Sequence, residues 1–202
     1  MAAPNHREYW NHNTAYHPWL LAIATEHRGD VLDVGCGDGL LAERLAPVSQ
    51  SVTGIDPDPA AIARATDRLA SLPHVTISHG DFQAYQPGTR RFDLITFVAS
   101  LHHMDLRDSL TKARTLLTPT GEIAVVGCAA NRTVRDWVWS ALCVPGARLG
   151  SRLHSETRNI GVVVTDPQQS LGDIRRTVDD VLPGASARRA LYYRYLLRWR
   201  NR

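Results

Sequence analysis

The sequence predicts an α/β chain built on an open, mostly parallel sheet with helices on both faces. From residue 30 to residue 128, strand-like apolar runs alternate with helix-like stretches, the pattern of successive strand–helix–strand units. The first run, Val31-Leu32-Asp33-Val34, passes directly into three alternating glycines, Gly35, Gly37 and Gly39. A second run, Ser51 to Ile55, ends in an acid, Asp56. A backbone without Cβ atoms can turn sharply and let a ligand lie against it. The amides that open the following helix then point at that ligand.

Each element has its own signal. Residues 1 to 28 gather Tyr9, Trp10, His12, Tyr16, His17 and Trp19, and Pro18 divides them into two short helices. Strand 30–34, helix 39–46 and strand 51–55 follow. Helix 58–70 starts with a capping Asp58 and with Pro59, which suits a first turn. Strands 74–78 and 92–98, helix 107–117 and strand 122–128 complete the regular part. Beyond it, a helix is expected from Thr133 to Cys143 and another from Gln168 to Val181, stopped by Pro183-Gly184. From Leu191 to Trp199 every odd position is apolar, with Arg194 and Arg198 on the other face. That period of two predicts a half-buried last strand. No clear sixth strand precedes it.

Composition bounds the function. With 202 residues, 44% hydrophobic and 21% charged, the chain supports one well-buried core, and 1–202 reads as a single domain. No apolar run reaches membrane-spanning length, and the first residues lack a signal-peptide core, which predicts a cytoplasmic protein without a membrane partner. Cys36, Cys128 and Cys143 are spaced as neither a disulfide framework nor a metal site, so no metal is expected. Cys36 reads either as a reactive thiol or as a small residue filling the glycine loop. The net charge of +3 is concentrated late, at Arg175, Arg176, Arg188, Arg189, Arg194, Arg198, Arg200 and Arg202. These arginines are either a docking surface for phosphates or acids, or a solvated face.

The glycine loop and the acid after the next strand describe a site for a nucleoside-containing cofactor. A dinucleotide fingerprint would need a small residue where the chain has Leu40. Glycines at every second position, after Asp33 in the strand, instead resemble the first motif of class I S-adenosylmethionine-dependent methyltransferases. The resemblance continues in order through Gly80-Asp81-Phe82, Phe92-Asp93-Leu94-Ile95-Thr96-Phe97 and Leu116-Leu117-Thr118-Pro119-Thr120-Gly121-Glu122-Ile123, and is best over residues 30 to 128. It implies a Rossmann-like doubly wound, mostly parallel seven-stranded sheet with an antiparallel C-terminal strand. Residues 1–28 would form a lid, 30–128 the cofactor-binding core, and 129–202 the substrate-side helices and terminal strand.

The same resemblance implies roles around S-adenosylmethionine. Gly35, Gly37 and Gly39 run under its ribose and methionyl parts, with Cys36 and Pro57 beside them, and Asp33 lies near its ammonium group. Asp56 accepts from the ribose hydroxyls, Asp81 accepts from the adenine amino group, and Phe82 sits beside the ring. Val98, Ala99 and Ser100 floor the site near the methyl group, and Tyr16 or Trp10 touches the cofactor from the lid. Each has a plainer reading: Asp33 as a local backbone acceptor, Asp81 as a turn residue, the lid aromatics as packing.

On the acceptor side, His102 is the first candidate for a general base and His17 the second, with His103 behind; imidazoles there also read as structural. The Asn/Asp-Pro-Pro-Tyr turn of amino methylation is absent after the fourth strand, as is a nucleophilic cysteine for pyrimidine-carbon methylation. A small-molecule acceptor is therefore expected, taken by a monomer or homodimer, with nucleic acid disfavoured. Two alternatives stand beside it: methylation of protein or RNA docked on the late arginines, and a non-catalytic interaction module.

Overall fold

The computed structural model of the chain describes residues 8–157 and 166–201. The first seven residues of the aromatic N-terminal segment and Arg202 of the late arginines lie outside the described residues. Five strands run parallel: β1 (Asp30–Val34), β2 (Ser51–Asp56), β3 (Val75–His79), β4 (Phe92–Val98) and β5 (Leu117–Cys128). A hairpin of β6 (Ser186–Ala190) and β7 (Arg194–Arg200) joins them, with β7 antiparallel to both β5 and β6. The order across the sheet is β3-β2-β1-β4-β5-β7-β6. Strand order reverses between β1 and β4, and ligands in such sheets bind at that reversal, beyond the strands' carboxyl ends.

Among the described residues, six α-helices accompany the sheet: α1 (His17–His27), α2 (Leu40–Leu45), α3 (Pro59–Leu69), α4 (Leu106–Leu116), α5 (Val134–Leu153) and α6 (Leu171–Val181). Strand residues alternate between two apolar layers, as the pleat requires. Leu32, Ile95 and Val125 pack with Leu110 of α4 and Val178 of α6. Val31, Leu94 and Ala124 pack with Ile23 of α1, Leu41 of α2 and Ala65 of α3. Covering both faces explains why these strands read as nearly continuous apolar runs. Helix starts follow the cap chemistry: Asp58 accepts from the Ala60 amide at 2.8 Å and Asp105 from the Asp108 amide at 2.8 Å. Of the two short helices expected before residue 28, the first is a single 3-10 turn, Thr14–Tyr16, and Pro18 occupies the first turn of the second.

The C-terminal part departs most from expectation. The sixth strand, Ser-Ala-Arg-Arg-Ala, carries no apolar alternation because it is an edge strand with arginines on it, a common guard against edge pairing. The predicted strand 191–199 begins only at Arg194. Leu191, Tyr192 and Tyr193 form the hairpin tip instead, with φ of 57° at Tyr192 and 59° at Tyr193. β7 is also not half-buried: Tyr195 and Leu197 enter one apolar layer and Leu196 the other, since the strand lies inside the sheet. Helix α5 continues past Cys143 to Leu153, through Pro145.

At the end of the sheet away from the strands' carboxyl termini, the buried Glu122 of β5 receives Arg198 Nε at 2.8 Å and Arg200 Nε, both from β7. Burial alone would raise the Glu122 carboxyl, but hydrogen bonds from Arg198 and Arg200 and their charges hold it below the usual range. Glu122→Gln is expected to lower stability at neutral pH by about 2 kcal/mol, at or below the low end for a buried pair because both arginines keep water contact. Urea unfolding measures it. With a depressed folded-state value, this contribution is present above the ordinary glutamate range and disappears as pH falls through it, so the variant should lose that part of the acid sensitivity.

Candidate functional site

The site is organised by the turn between β1 and α2. Gly35, Gly37 and Gly39 take φ of 75°, 56° and 79°, a region costly for other residues. Space forbids a side chain as well. A Cβ on Gly35 would stand 2.3 Å from Ser100 Cβ, and one on Gly39 would stand 2.8 Å from Leu69 Cδ1 of α3. The Ile55 carbonyl accepts from the Gly35 amide at 2.8 Å and the Cys36 amide at 3.1 Å, tying the turn to the end of β2. Asp56 completes the tie. Its Oδ2 accepts from the Gly37 amide at 2.9 Å and its Oδ1 from the Asp58 amide at 2.9 Å. Each oxygen keeps further acceptor capacity for a ligand hydroxyl.

Beside this turn lies a cavity of 520 Å³, within the range of small-ligand sites. Asp33, Gly35, Cys36, Gly37, Asp56 and Pro57 form one wall. Val98, Ala99 and His17 contribute from the ends of β4 and α1. The turn after β4 is fixed to both neighbouring strands: the Ala99 amide donates to the Val126 carbonyl at 2.8 Å and the Ser100 hydroxyl to the Val34 carbonyl at 2.5 Å. Ala99 itself has φ of 49°, a strained backbone at the cavity floor.

Two wall residues have unusual proton affinities. Asp33 is fully enclosed, and burial pushes its carboxyl up to about 7; the Thr96 hydroxyl, donating to Asp33 Oδ1 at 2.8 Å, opposes the rise and the charge of Asp56 adds to it. His17 moves the other way, down to about 3, through burial and the neighbouring Arg44 charge. Arg44 Nη1 lies 3.0 Å from His17 Nδ1. A guanidinium can only donate, so that nitrogen is the acceptor and its lone pair is taken. An imidazole so placed is a poor proton acceptor near neutral pH. The expectation of His17 as a base gives way to a neutral histidine anchoring α1 to α2.

Other expected residues sit elsewhere. Phe82 is in the core, edge-on to Phe97 with ring centroids 5.6 Å apart, and is not on the cavity wall. Asp81 is also off the wall; its Oδ1 accepts from the Gln83 amide at 2.6 Å, as a turn residue does, and the carboxylate keeps further acceptor capacity. Tyr16 points away from the cavity and donates to the Leu191 carbonyl at 2.5 Å. His102 is not on the wall; the neighbouring His103 is. Burial raises the Cys36 thiol, and its sulfur fills the space above Gly54, whose Cβ would stand 2.9 Å away. That environment is the opposite of an activated thiol's.

Several wall residues were missed. Tyr9, Asn11, Asn13 and Thr14 cover the cavity from the N-terminal segment, and Asp38 belongs to the glycine turn. Asn11 and Thr14 form a local box: Asn11 Oδ1 accepts from the Asn13 and Thr14 amides, and Thr14 Oγ1 from the Asn11 amide. The Asn-x-x-Thr spacing was a readable signal for it. Asp38 joins the covering segment to the turn, accepting from the Tyr9 hydroxyl at 2.9 Å and from the buried Arg68 at 3.0 Å. Among the described residues, no group of three or more His, Cys, Asp or Glu is arranged to hold a metal ion.

A family model described as "Methyltransferase domain" matches residues 31–121. An uncharacterized methyltransferase of Mycobacterium tuberculosis (strain ATCC 25618 / H37Rv) is 35% identical over 192 residues, covering 95% of this chain and 96% of its own length. The ubiquinone biosynthesis O-methyltransferase of Thiobacillus denitrificans is 32% identical over 69% of this chain and 63% of its own. Among solved structures, the N-methyltransferase NodS from Bradyrhizobium japonicum in complex with S-adenosyl-L-homocysteine superposes with a TM-score of 0.60 at 19% identity, over 95% of this chain and 88% of that one. The fold agrees with these likenesses, and S-adenosylmethionine fits the donor set of the cavity. The chain belongs to the class I S-adenosylmethionine-dependent methyltransferases.

Proposed function

We propose that this methyltransferase acts on an O, N or C atom of a small molecule by in-line displacement, with no covalent intermediate on the protein. The observation that carries the reading is the cavity itself. It sits at the strand-order reversal, is lined on its N-terminal side by Asn11, Asn13 and Thr14, and is a concave, half-open site of the size that small ligands occupy. Two names among the likenesses, an O-methyltransferase of ubiquinone biosynthesis and an N-methyltransferase, support the same class.

When bound, S-adenosylmethionine supplies an electrophilic methyl group on a cationic sulfur. The protein's task is then to bind, orient and exclude water, and orientation alone supplies roughly 7–11 kcal/mol in well-aligned reactions. Asp56 receives the ribose hydroxyls on the lone pairs left by Gly37 and Asp58. Asp33, on the cavity wall, would hold the ammonium group, and Val98 and Ala99 would form the floor. His103 takes the acceptor's proton where one must leave, the role expected earlier of His102. The alternative of a docked RNA or protein loses its main support, because most late arginines are engaged internally. Arg198 and Arg200 bind Glu122, Arg189 binds Asp136, and Arg194 Nε donates to Asn13 Oδ1 at 2.8 Å.

Labelled methyl from S-adenosylmethionine should appear in the small-molecule fraction of a cell extract; label in RNA or protein would overturn the reading. Asp56→Ala should weaken S-adenosylhomocysteine binding by roughly 10–100-fold in calorimetry, the range for a charge-assisted hydrogen bond. The raised Asp33 value makes a further pH test. The carboxyl is largely protonated below about 7 in the free protein, and an ammonium partner favours its charged form. Affinity should therefore rise from about pH 6 to about pH 8 with net proton release, and Asp33→Asn should flatten that rise. For an acceptor that must lose a proton, His103→Ala should reduce kcat by about 100-fold with little change in cofactor affinity.

A further inference from the structure

Helix α5 presents to solvent a face that nothing in the methyl-transfer site uses. Val134, Val138, Leu142, Leu149 and Leu153 recur at steps of four and seven residues, which places them along one side of a helix about 30 Å long. Leu142 and Leu153 are 70% and 71% exposed, and Trp137, 64% exposed, flanks the row. Contiguous apolar surface of this kind is rare on monomeric proteins and marks a contact site. The opposite side of the helix is narrow: Cys143, Ala147 and Gly150 are buried, and the Tyr192 hydroxyl occupies the place a Gly150 side chain would need. The protein thus packs against the small residues of α5 and leaves the large ones outside.

Charge selects the occupant. Arg135, Arg148 and Arg152 border the row, all exposed, and none has an acidic partner among the described residues. The helix contains one acid, Asp136, which is buried and paired with Arg189. Two copies meeting through this face would bring arginines together with no carboxylate from either helix to offset them, which disfavours a second chain. Aliphatic residues with a bordering tryptophan and unpaired arginines are the composition that lies in the headgroup layer of an anionic membrane.

We propose that the outward face of α5 docks this methyltransferase on an anionic lipid bilayer. The helix lies in the interface and does not cross it: no helix among the described residues is long and apolar enough to span. The expectation of no membrane partner rested on the lack of a spanning segment, which says nothing about a helix that lies flat. This docking is independent of which acceptor is methylated.

The test is co-sedimentation of the full chain with vesicles of phosphatidylglycerol mixed with phosphatidylcholine, against vesicles of phosphatidylcholine alone. The expected result is binding to the anionic vesicles and markedly weaker binding to the neutral ones. The double variant Leu142→Glu/Leu149→Glu should abolish it, and Arg148→Gln/Arg152→Gln should weaken it by roughly 10–30-fold. All these positions are exposed and outside the cofactor cavity, so S-adenosylhomocysteine affinity and the unfolding midpoint should stay unchanged, separating this outcome from a failed fold or failed cofactor site. Absence of vesicle binding, binding that survives the leucine changes, or a solution dimer that those changes dissociate would each overturn the proposal.

Discussion

One carboxylate holds the cavity in shape. Asp56 stands at the end of β2, yet its two oxygens are committed to amides on either side of the site, Gly37 in the turn after β1 and Asp58 at the head of α3. Those contacts set the distance between the two turns before any ligand arrives. Preorganisation of this kind lowers the ordering cost of binding. Under the proposed function the same atoms would receive a ribose, so the group that shapes the pocket would also be a recognition element. Ser100 plays the matching part on the other side, filling the space that Gly35 leaves and pinning the turn after β4 to Val34.

The parallel core was legible because its signals are local. Apolar runs, the capping Asp58 and the three glycines each act over a few residues, and the strands they mark are covered on both faces. The hairpin was less so. β6 packs as an edge and needs no alternation, while the alternation read through Leu191 and Tyr193 belongs to a turn whose backbone is held by contacts distant in sequence. Tyr192 stacks on His12 with centroids 4.8 Å apart and meets Trp10 edge-on at 5.5 Å. Such cross-chain aromatic contacts can offset the cost of two non-glycine residues in the left-handed region. Nothing in a one-dimensional pattern announces them.

In the site, legibility followed the backbone. Residues whose role depends on the turn itself, such as Gly35 and Asp56, stand where the pattern placed them. Residues whose role depends on side-chain direction did not. His102 and His103 are neighbours with ring centroids 4.1 Å apart, but only His103 lines the cavity, a difference no spacing rule resolves. Tyr9 covers the cavity where Tyr16 was expected because the 3-10 turn at Thr14–Tyr16 rotates Tyr16 toward the hairpin tip. His17 was a reasonable base by residue type; its pairing with Arg44 could be seen only in three dimensions.

The position of β7 between β5 and β6 bears on the order of assembly. During synthesis β5 is complete long before residues 194–200 emerge, and in that interval its outer edge carries a row of unsatisfied amides and carbonyls. β6, though made earlier than β7, has no place in the sheet until β7 arrives to bridge it. Any folding stage in which the five parallel strands form before β7 leaves an open, apolar border, the kind of surface that captures other chains. Closure of that border depends on β7, so aggregation risk and final locking of the structure turn on the same pairing.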